Sequence, residues 1–574
     1  MRVTDDTVVL AATDLANFLA CKHRTGLDLA AAMGTIDPPE TRLDAALQLL
    51  RERGIKHERA YVDHLRGQGL NIVEIATDES PDVRVARTLE ALKSGADVIY
   101  QGAFAGKGWT GYADILRKVP CGTGVRTSLG EYQYEPYDTK LARETRGGTI
   151  LQLALYTELL AEVQGATPQR FFVVTPGNPF AVHEYRLADY AAYFRLIRAQ
   201  MLEMLAKGPD ALLAESYPEP VEHCDVCRWW DRCNSQRRAD DHLSFIAGVG
   251  SSQRVELVSQ GVTTLAAAGT LPVPVTFKPS RGARETYDRI AEQAQVQLQQ
   301  RTRNEPVFRI LPVSAGEGLC RLPEPSSGDL FLDLEGARFV REGGHDYLFG
   351  LGHIGGGKEF TYRSWWAMDP LEEQHAFETL MDVIAETRAS DPGLHIYHFA
   401  PYETTALKRL AGRYATRQDA LDELLREKRF VDLYAIVRQA VRAGVESYSI
   451  KELEQYYEYL RKVPLRDAAT HRIAVEMALE ARDPASIAEA TRVIVEGYNR
   501  EDVESTHLLR RWLEELRTRQ LDAAVNVPRP PIEEPKKEAP SERTAAADVL
   551  RATLLTEVAP EASQPGNPHH ERWL

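Results

Sequence analysis

Six cysteines in 574 residues are too few, and too unevenly placed, for a secreted disulfide framework. No stretch approaches the roughly 20 apolar residues that a bilayer-spanning helix needs, so no membrane association is expected. The opening residues MRVTDDTVVLAATDLANFLACKH carry early acids and no basic segment ahead of an apolar one, which argues against a secretory signal. Together these absences point to a reducing cytoplasm. Basic charge is also short: 69 Lys and Arg against 84 Asp and Glu leave a net charge of −15. That argues against a passive nucleic-acid coat, which would be basic. It does not exclude an enzyme that holds divalent cations with carboxylates and meets nucleic acid through local basic patches. The phosphate loop G-x-x-x-x-G-K-S/T does not occur, so no ATPase activity is expected. No internal repeat is visible.

What is present suits a globular chain, with 43% hydrophobic and 27% charged residues. The expected division is 1–240, 241–325, 326–520 and 521–574. The first segment mixes helix and strand patterns and ends at the cysteine-rich HCDVCRWWDRC (223–233). The second is a helical connector. The third opens on the apolar run DLFLDLEG (329–336), and the last is rich in Pro, Glu, Lys and Ala, too poor in large apolar groups to fold alone.

In the first segment, GKGWTGYADILRKV (106–119) reads as a strand carrying Asp114, and EYQYEPYDTKLAR (131–143) as a second strand. Asp138 and Lys140 are two apart, so the strand period sets both on one face. A carboxylate beside a lysine suits metal-assisted phosphodiester hydrolysis. TILQLALYTELLAEV (149–163) reads as a helix with Gln152 and Tyr156 on one face. Upstream, RERGIKHERAYVDHL (51–65) is helical and carries His57; Glu58 beside it reads as a surface charge. Glu135 could substitute for one of the acids.

The order His, G-x-x-D, D-x-K, Q-x-x-x-Y resembles the PD-(D/E)xK nucleases of the RecB type. The resemblance implies a restriction-endonuclease-like α/β fold. It implies Mg²⁺ or Mn²⁺ on His57, Asp114 and Asp138, a catalytic role for Lys140, and nucleic-acid positioning by Gln152 and Tyr156. Cys224, Cys227 and Cys233 form C-x2-C-x5-C. Relatives of this layout, the CRISPR-associated RecB-like exonucleases and the AddB nuclease domains, have one further cysteine before the nuclease core. Cys21 takes that place, which implies a structural 4Fe–4S cluster; a four-cysteine zinc site uses similar spacings and stands as the alternative. Trp229, Trp230 and Arg232, between the ligands, are expected to pack around them, with contact to DNA as the alternative. Cys121, in a hairpin turn, and Cys320, in a linker, are expected to be free thiols.

IAGVGSSQRVELVSQGVTTLAAAG (246–269) resembles a helix–hairpin–helix, with Gly248 and Gly250 shaping a turn whose amides bind a DNA phosphate; an ordinary helical connector would read the same way.

After residue 329, Asp333 and Glu335 lie two apart within an apolar strand, and burying two acids without a cation is costly. Glu403 follows where the strand LHIYHF enters a helix, and Tyr498 and Asp502 share a face of the helix VIVEGYNREDVESTHLL. This pattern resembles the DEDD exonucleases of RNase H-like fold, with Glu403 in a place the family usually gives to Asp. The resemblance implies two metal ions held by Asp333, Glu335, Glu403 and Asp502, with Tyr498 orienting the water. Asp432 is an acid of open role. Tyr448 and Lys451 either line the substrate groove or belong to a Ser-capped helix start.

The fold class expected is α/β: a restriction-endonuclease-like domain and an RNase H-like domain joined by a helical connector. The expected function is a metal-dependent DNA exonuclease acting on single strands or ends in repair, recombination or defence. A superfamily-one helicase is the expected partner, in cis or in trans. The alternative is a cluster-stabilised DNA-binding adaptor for such a helicase, with one or both sites degenerate.

Overall fold

WTGYADILRKVP alternates buried and half-buried side chains through most of its twelve residues and forms the longest strand of a mixed sheet in the computed structural model. The structure describes residues 1–4, 7–39, 45–122, 126–142, 144–177, 179–341, 343–354, 359–530 and 542–556. The chain divides into two units, Met1–Asp240 and Asp241–Leu574.

The first unit contains β1 (Arg2–Thr4), β2 (Thr7–Ala11), α1 (Ala12–Ala20), α2 (Lys22–Ala32), α3 (Ala45–Gly67), β3 (Ile72–Glu74), α4 (Pro81–Ser94), β4 (Val98–Gly106), β5 (Trp109–Pro120), β6 (Tyr132–Thr139), α5 (Gly147–Gln164), β7 (Arg170–Pro176), β8 (Phe180–Arg186), α6 (Leu187–Ala206), α7 (Pro209–Glu215) and α8 (Trp230–Ala239). The strand path is β1-β2-β5-β6-β7-β8, with β4 joining β5 to β3. β4, β5 and β6 are antiparallel neighbours, whereas β6 and β7 run parallel. α5 is apolar almost all round because it lies between other layers: Leu151, Leu155 and Tyr156 share a core with Leu15, Phe18, Leu92 and Phe194. A second cluster packs Tyr61, Val62 and Leu65 of α3 against Ile115, Tyr137 and Phe172 of the sheet.

The second unit contains α9 (Ser251–Ser259), α10 (Leu265–Ala268), α11 (Arg284–Arg303), β9 (Phe308–Ile310), β10 (Leu330–Ala337), β11 (His345–Ile354), β12 (Phe360–Trp366), α12 (Pro370–Ser390), β13 (Ile396–His398), α13 (Tyr402–Tyr414), α14 (Gln418–Arg426), β14 (Phe430–Asp432), α15 (Leu433–Ala440), β15 (Val441–Ala443), α16 (Ile450–Leu453), α17 (Leu465–Ala481), α18 (Glu489–Asp522) and α19 (Glu542–Leu555). Its main sheet has the order β12-β11-β10-β13-β14. The first three strands are antiparallel, and β10, β13 and β14 are parallel. Leu380, Ile384 and Leu407 cover one face, Ile436, Leu509 and Trp512 the other. A sheet packed on both sides explains why β10 reads as a nearly continuous apolar run.

The connector is knit into this unit. Gln293 on α11 donates to the Ala443 carbonyl at 2.8 Å and accepts from Tyr448 Oη at 2.8 Å. Cys320, expected in a linker, is instead buried among the residues packed under α15 and α18, because a short 3-10 turn carries it inward. The chain after α18 is anchored as far as residue 530: Val527 is buried, and Arg529 donates to both Glu514 oxygens at 2.6 and 2.8 Å. The rest of the expected tail, apart from α19, lies outside the described residues. Among the described residues no helix is long and apolar enough to cross a membrane.

Candidate metal centres

In the second unit, strand alternation sets Asp333 and Glu335 on the face of β10 that meets α18. Asp333 pairs in register with Gly350 of β11. A Cβ at Gly350 would fall 1.8 Å from Asn499 Oδ1, so this glycine leaves the room through which Asn499 approaches β10. Asn499 Nδ2 donates to Asp333 Oδ2 at 2.7 Å, and Tyr362 Oη donates to Asn499 Oδ1 at 2.7 Å. Asp502 comes from the next turn of α18. Ligand oxygens of Asp333, Glu335 and Asp502 all lie within 4.8 Å of one another.

Burial, then the nearby Asp502, holds Asp333 well above the usual carboxylate range. Burial also pushes Glu335 up to about 7, against the pull of Arg472. Three cations offset the acids. Lys451 Nζ meets Asp502 Oδ2 at 2.8 Å, Arg461 Nη2 meets Asp502 Oδ1 at 2.5 Å, and Arg472 Nε meets Glu335 Oε2 at 3.0 Å. The same three ring Tyr498, with Lys451 Nζ 5.0 Å from its centroid. Glu403, in the first turn of α13, is buried outside the 4.8 Å group, with Oε2 3.5 Å from His398 Nδ1. Burial raises its pKa, and its charge acts on both Asp333 and Glu335. Asp432 has a structural role: its Oδ1 caps α15 and accepts from the Ala400 amide at 3.1 Å. Ser449 does cap α16, and one turn of that helix carries Lys451 to Asp502.

In the first unit, Asp114 on β5 accepts from the Thr139 amide and hydroxyl at 2.8 and 3.0 Å. Asp138 on β6 is fully buried, with the Lys140 ammonium against its carboxylate. Burial and then Asp114 push Asp138 up to about 7. Burial works against the charge on Lys140, but Asp138, Asp114 and Glu58 outweigh it and raise its pKa. Gln152 donates to Tyr156 Oη at 2.7 Å. The Tyr156 ring lies where a Cβ on Gly111 would be, 2.8 Å away, so the glycine of G-x-x-D is the seat of this tyrosine.

The helix α3 brings a different residue to the acids from the one expected. Glu58, expected as a surface charge, is half-buried, accepts from Gln101, and is raised by burial and by Asp114. His57 turns to the Val174 carbonyl at 3.3 Å and packs on Phe180. Adjacent helix positions point about 100° apart, and nothing local in the sequence says which of the two turns toward the acids. Glu135 is on the opposite face of β6 from Asp138 and forks with Arg170 at 3.1 and 3.3 Å.

Cys21, Cys224, Cys227 and Cys233 line one recess. Cys21, between α1 and α2, accepts from the Arg24 amide at 3.4 Å, and Cys224 from the Val221 amide at 3.4 Å. No three of these sulfurs lie within 4.8 Å of one another. Burial pushes Cys233 up to about 11 and raises Cys227. Trp229 is buried and donates to Asp28 Oδ1 at 2.7 Å, so it packs the recess. Cys121, beside the β5–β6 turn, and Cys320 are free thiols.

At the hairpin, Gly248 has φ +78° with open space around it, and Gly250 begins α9 with its amide donating to Gln253 Oε1 at 2.6 Å. A 3-10 turn, Leu243–Phe245, stands in place of a first helix.

Residues 330–514 match the family model of the RNase H superfamily. The matched segment contains Asp333, Glu335, Glu403, Tyr498 and Asp502, and points to a nuclease-type phosphodiester hydrolase. A search of curated proteins finds no match.

Proposed function

We propose that the chain is a divalent-metal-dependent nuclease that hydrolyses phosphodiester bonds in DNA, acting on single strands or ends in repair, recombination or defence. The observation that carries this is the convergence of Asp333, Glu335 and Asp502 from one strand and a helix distant in sequence. Burying three carboxylates together is unfavourable unless cations join them; Lys451 and Arg461 pair with Asp502 and Arg472 with Glu335, which leaves Asp333 without an ion pair among the described residues. The donor set is all carboxylate oxygen, which suits Mg²⁺ or Mn²⁺. Such an ion, when bound, supplies Lewis-acid polarisation and lowers the pKa of water. Within the chain, Tyr498 lies one turn from Asp502 and beside Lys451, where its hydroxyl orients the attacking water. Lys451, Arg461 and Arg472 are the donors nearest the charge that develops on phosphate.

A second hydrolytic site of the PD-(D/E)xK kind is proposed at Glu58, Asp114, Asp138 and Lys140. The support is a fully buried Asp138 whose carboxylate is paired with the Lys140 ammonium. Asp114 and Asp138 would hold the ion, Lys140 would steady charge on the phosphate, and Gln152 and Tyr156 would position the strand.

For the four cysteines we propose an iron–sulfur cubane rather than zinc, supported by the absence of any three sulfurs within 4.8 Å of one another. Zinc bonds of about 2.3 Å to four thiolates bring the sulfurs to about 3.8 Å from each other. The thiolates around a 4Fe–4S cluster stand farther apart, on the order of 6 Å. The cluster would tie α2 to the end of the unit, a staple suited to reducing cytoplasm. A superfamily-one helicase that supplies single strands is the partner this function favours.

The test is cleavage of single- and double-stranded DNA, and of RNA, with Mg²⁺ or Mn²⁺ by the parent chain and by Asp333→Asn and Asp138→Asn separately. Loss in either variant assigns activity to that unit. A parent chain that cuts none of these would leave the adaptor role in its place.

A further inference from the structure

Away from the acid centre, the second unit contains a groove of about 800 Å³ between the Gly248 hairpin, α11 and α15. Three arginines line it: Arg289 from α11, Arg438 from the end of α15 and Arg442 from β15. Its two acids are already engaged. Asp432 caps α15, and Glu446 pairs with Arg301 at 3.4 Å. Arg289 and Arg438 are exposed, and neither has an acid partner among the described residues. In a chain of net charge −15 this is a local positive surface with a defined shape. Tyr434, also on the wall, is half-exposed; its ring meets Phe399 edge-on at 5.5 Å and has the Arg438 guanidinium 5.3 Å from its centroid.

One end of the groove is lined by the segment that leads into Glu403. Pro401 lines it two residues before Glu403. Asp432, on the same wall, accepts from the Ala400 amide at 3.1 Å and so fixes this entry segment to the groove. The other end is the hairpin, where Ala247 donates to Gln297 Oε1 at 3.1 Å, fixing the turn to α11. The surface therefore runs from a turn with free space around Gly248, past arginines and an aromatic face, to Pro401 at the entry to the helix that carries Glu403.

We propose that this groove carries one strand of nucleic acid to the Asp333, Glu335 and Asp502 centre, with Arg289 and Arg438 on successive phosphates and Tyr434 stacking a base. The proposal rests on the nuclease function above and extends it to how the substrate is presented. Phosphates and unpaired base faces are common to DNA and RNA strands, so the recognised chemistry is a flexible polyphosphate with exposed π faces. A duplex buries its base faces and offers Tyr434 nothing to stack upon.

The test uses the full chain freed of divalent metal, so that nothing is cut. The probe is a fluorescent oligothymidine of about 20 nucleotides, with an oligouridine and a blunt duplex of equal length alongside. Arg289→Glu combined with Arg438→Glu is expected to weaken oligothymidine binding at least about tenfold and to flatten its salt dependence by one to two counterions. Tyr434→Ala is expected to weaken it about fivefold with the salt slope unchanged. Arg438→Gln, a milder change at an exposed position, should fall between. A 5-iodouracil strand should photocrosslink to the peptide bearing Tyr434. Unchanged affinity in all these variants, or crosslinks confined to residues 1–240, overturns the groove. Equal loss on the blunt duplex overturns the single-strand assignment. The tighter of oligothymidine and oligouridine names the natural sugar. Hydrolysis of thymidine 5′-p-nitrophenyl phosphate with Mn²⁺ in an Asp138→Asn background, where only the Asp333, Glu335 and Asp502 centre can act, should survive every variant. If Asp138→Asn alone does not hydrolyse it, the nuclease function of that centre fails there, while the strand-binding result stands on its own measurement.

Discussion

Asn499 Nδ2 reaches Asp333 Oδ2 at 2.7 Å through space that a side chain at position 350 would fill. The pair ties α18 to β10 and so fixes the distance between Asp333 and Asp502, which is what a shared cation requires. Gly350→Ala would place a methyl group 1.8 Å from Asn499 Oδ1. Either Asn499 swings away or the helix moves. Overpacking of this kind costs about 1–3 kcal/mol. The larger effect is expected on chemistry, because a displacement near 1 Å costs about a hundredfold in rate. Thermal unfolding together with hydrolysis in an Asp138→Asn background would measure both. A variant with full activity would show that Asn499 does not set the acid geometry.

On the first unit's site, Glu58→Gln and His57→Ala make opposite statements. Glu58 faces Asp114 and Lys140, whereas His57 faces a main-chain carbonyl. In an Asp333→Asn background, Glu58→Gln is expected to lower cleavage about a hundredfold by removing a carboxylate from the cation's surroundings. His57→Ala should cost less than about tenfold, a loss of packing against Phe180. Kinetics with Mg²⁺ would separate them, and the reverse order would return the ligand role to the histidine.

How much of the molecule is legible in its sequence differs by residue, for physical reasons. Asp138–Lys140 and Asp333–Glu335 can be read because strand alternation alone puts each pair on one face. Tyr498 and Asp502 can be read because helical spacing does the same. Glu58 escapes because a choice between neighbours on one helix depends on how that helix sits on the sheet. The cations Arg461 and Arg472 escape because they reach the centre from segments with no periodic tie to it. Cys320 is misplaced because Pro and Gly around it suggest a linker, although a 3-10 turn can carry such a segment into a core. Gly350 and Gly111 look like ordinary strand glycines; only the side chains that fill their space give them meaning.

Removing the metal should make stability depend on pH in a defined direction. Asp138 and Glu335 are both pushed up to about 7 in the folded chain, whereas free carboxyls titrate near about 4. Between those values the folded state keeps protons that the unfolded state has lost, so stability falls as pH rises. In EDTA the melting temperature is expected to drop by several degrees from pH 5 to pH 8, and Mg²⁺ should restore it at pH 8. Asp138→Asn and Glu335→Gln should each flatten the profile. A melting temperature that rises over the same range would contradict the assignment of these two carboxyls as groups whose burial outweighs their cation partners.

Cys21→Ala and Cys121→Ala remove the same chemical group from very different settings. Cys21 shares a recess with three other sulfurs contributed from the far end of the unit, whereas Cys121 sits beside a turn with its thiol 3.9 Å from the Gly130 carbonyl. Protein purified without oxygen is expected to be brown, absorbing broadly near about 400 nm, as thiolate-ligated iron–sulfur centres do. Cys21→Ala should bleach it and loosen α2 from α7 and α8, which limited proteolysis and the melting temperature would register; closing so long a loop is worth several kcal/mol. Cys121→Ala should leave colour and stability unchanged. Colourless protein with one equivalent of zinc would mean that the sulfurs draw in to the shorter zinc spacing on binding, and the cluster would be lost from the proposal while the acid centres kept their own support.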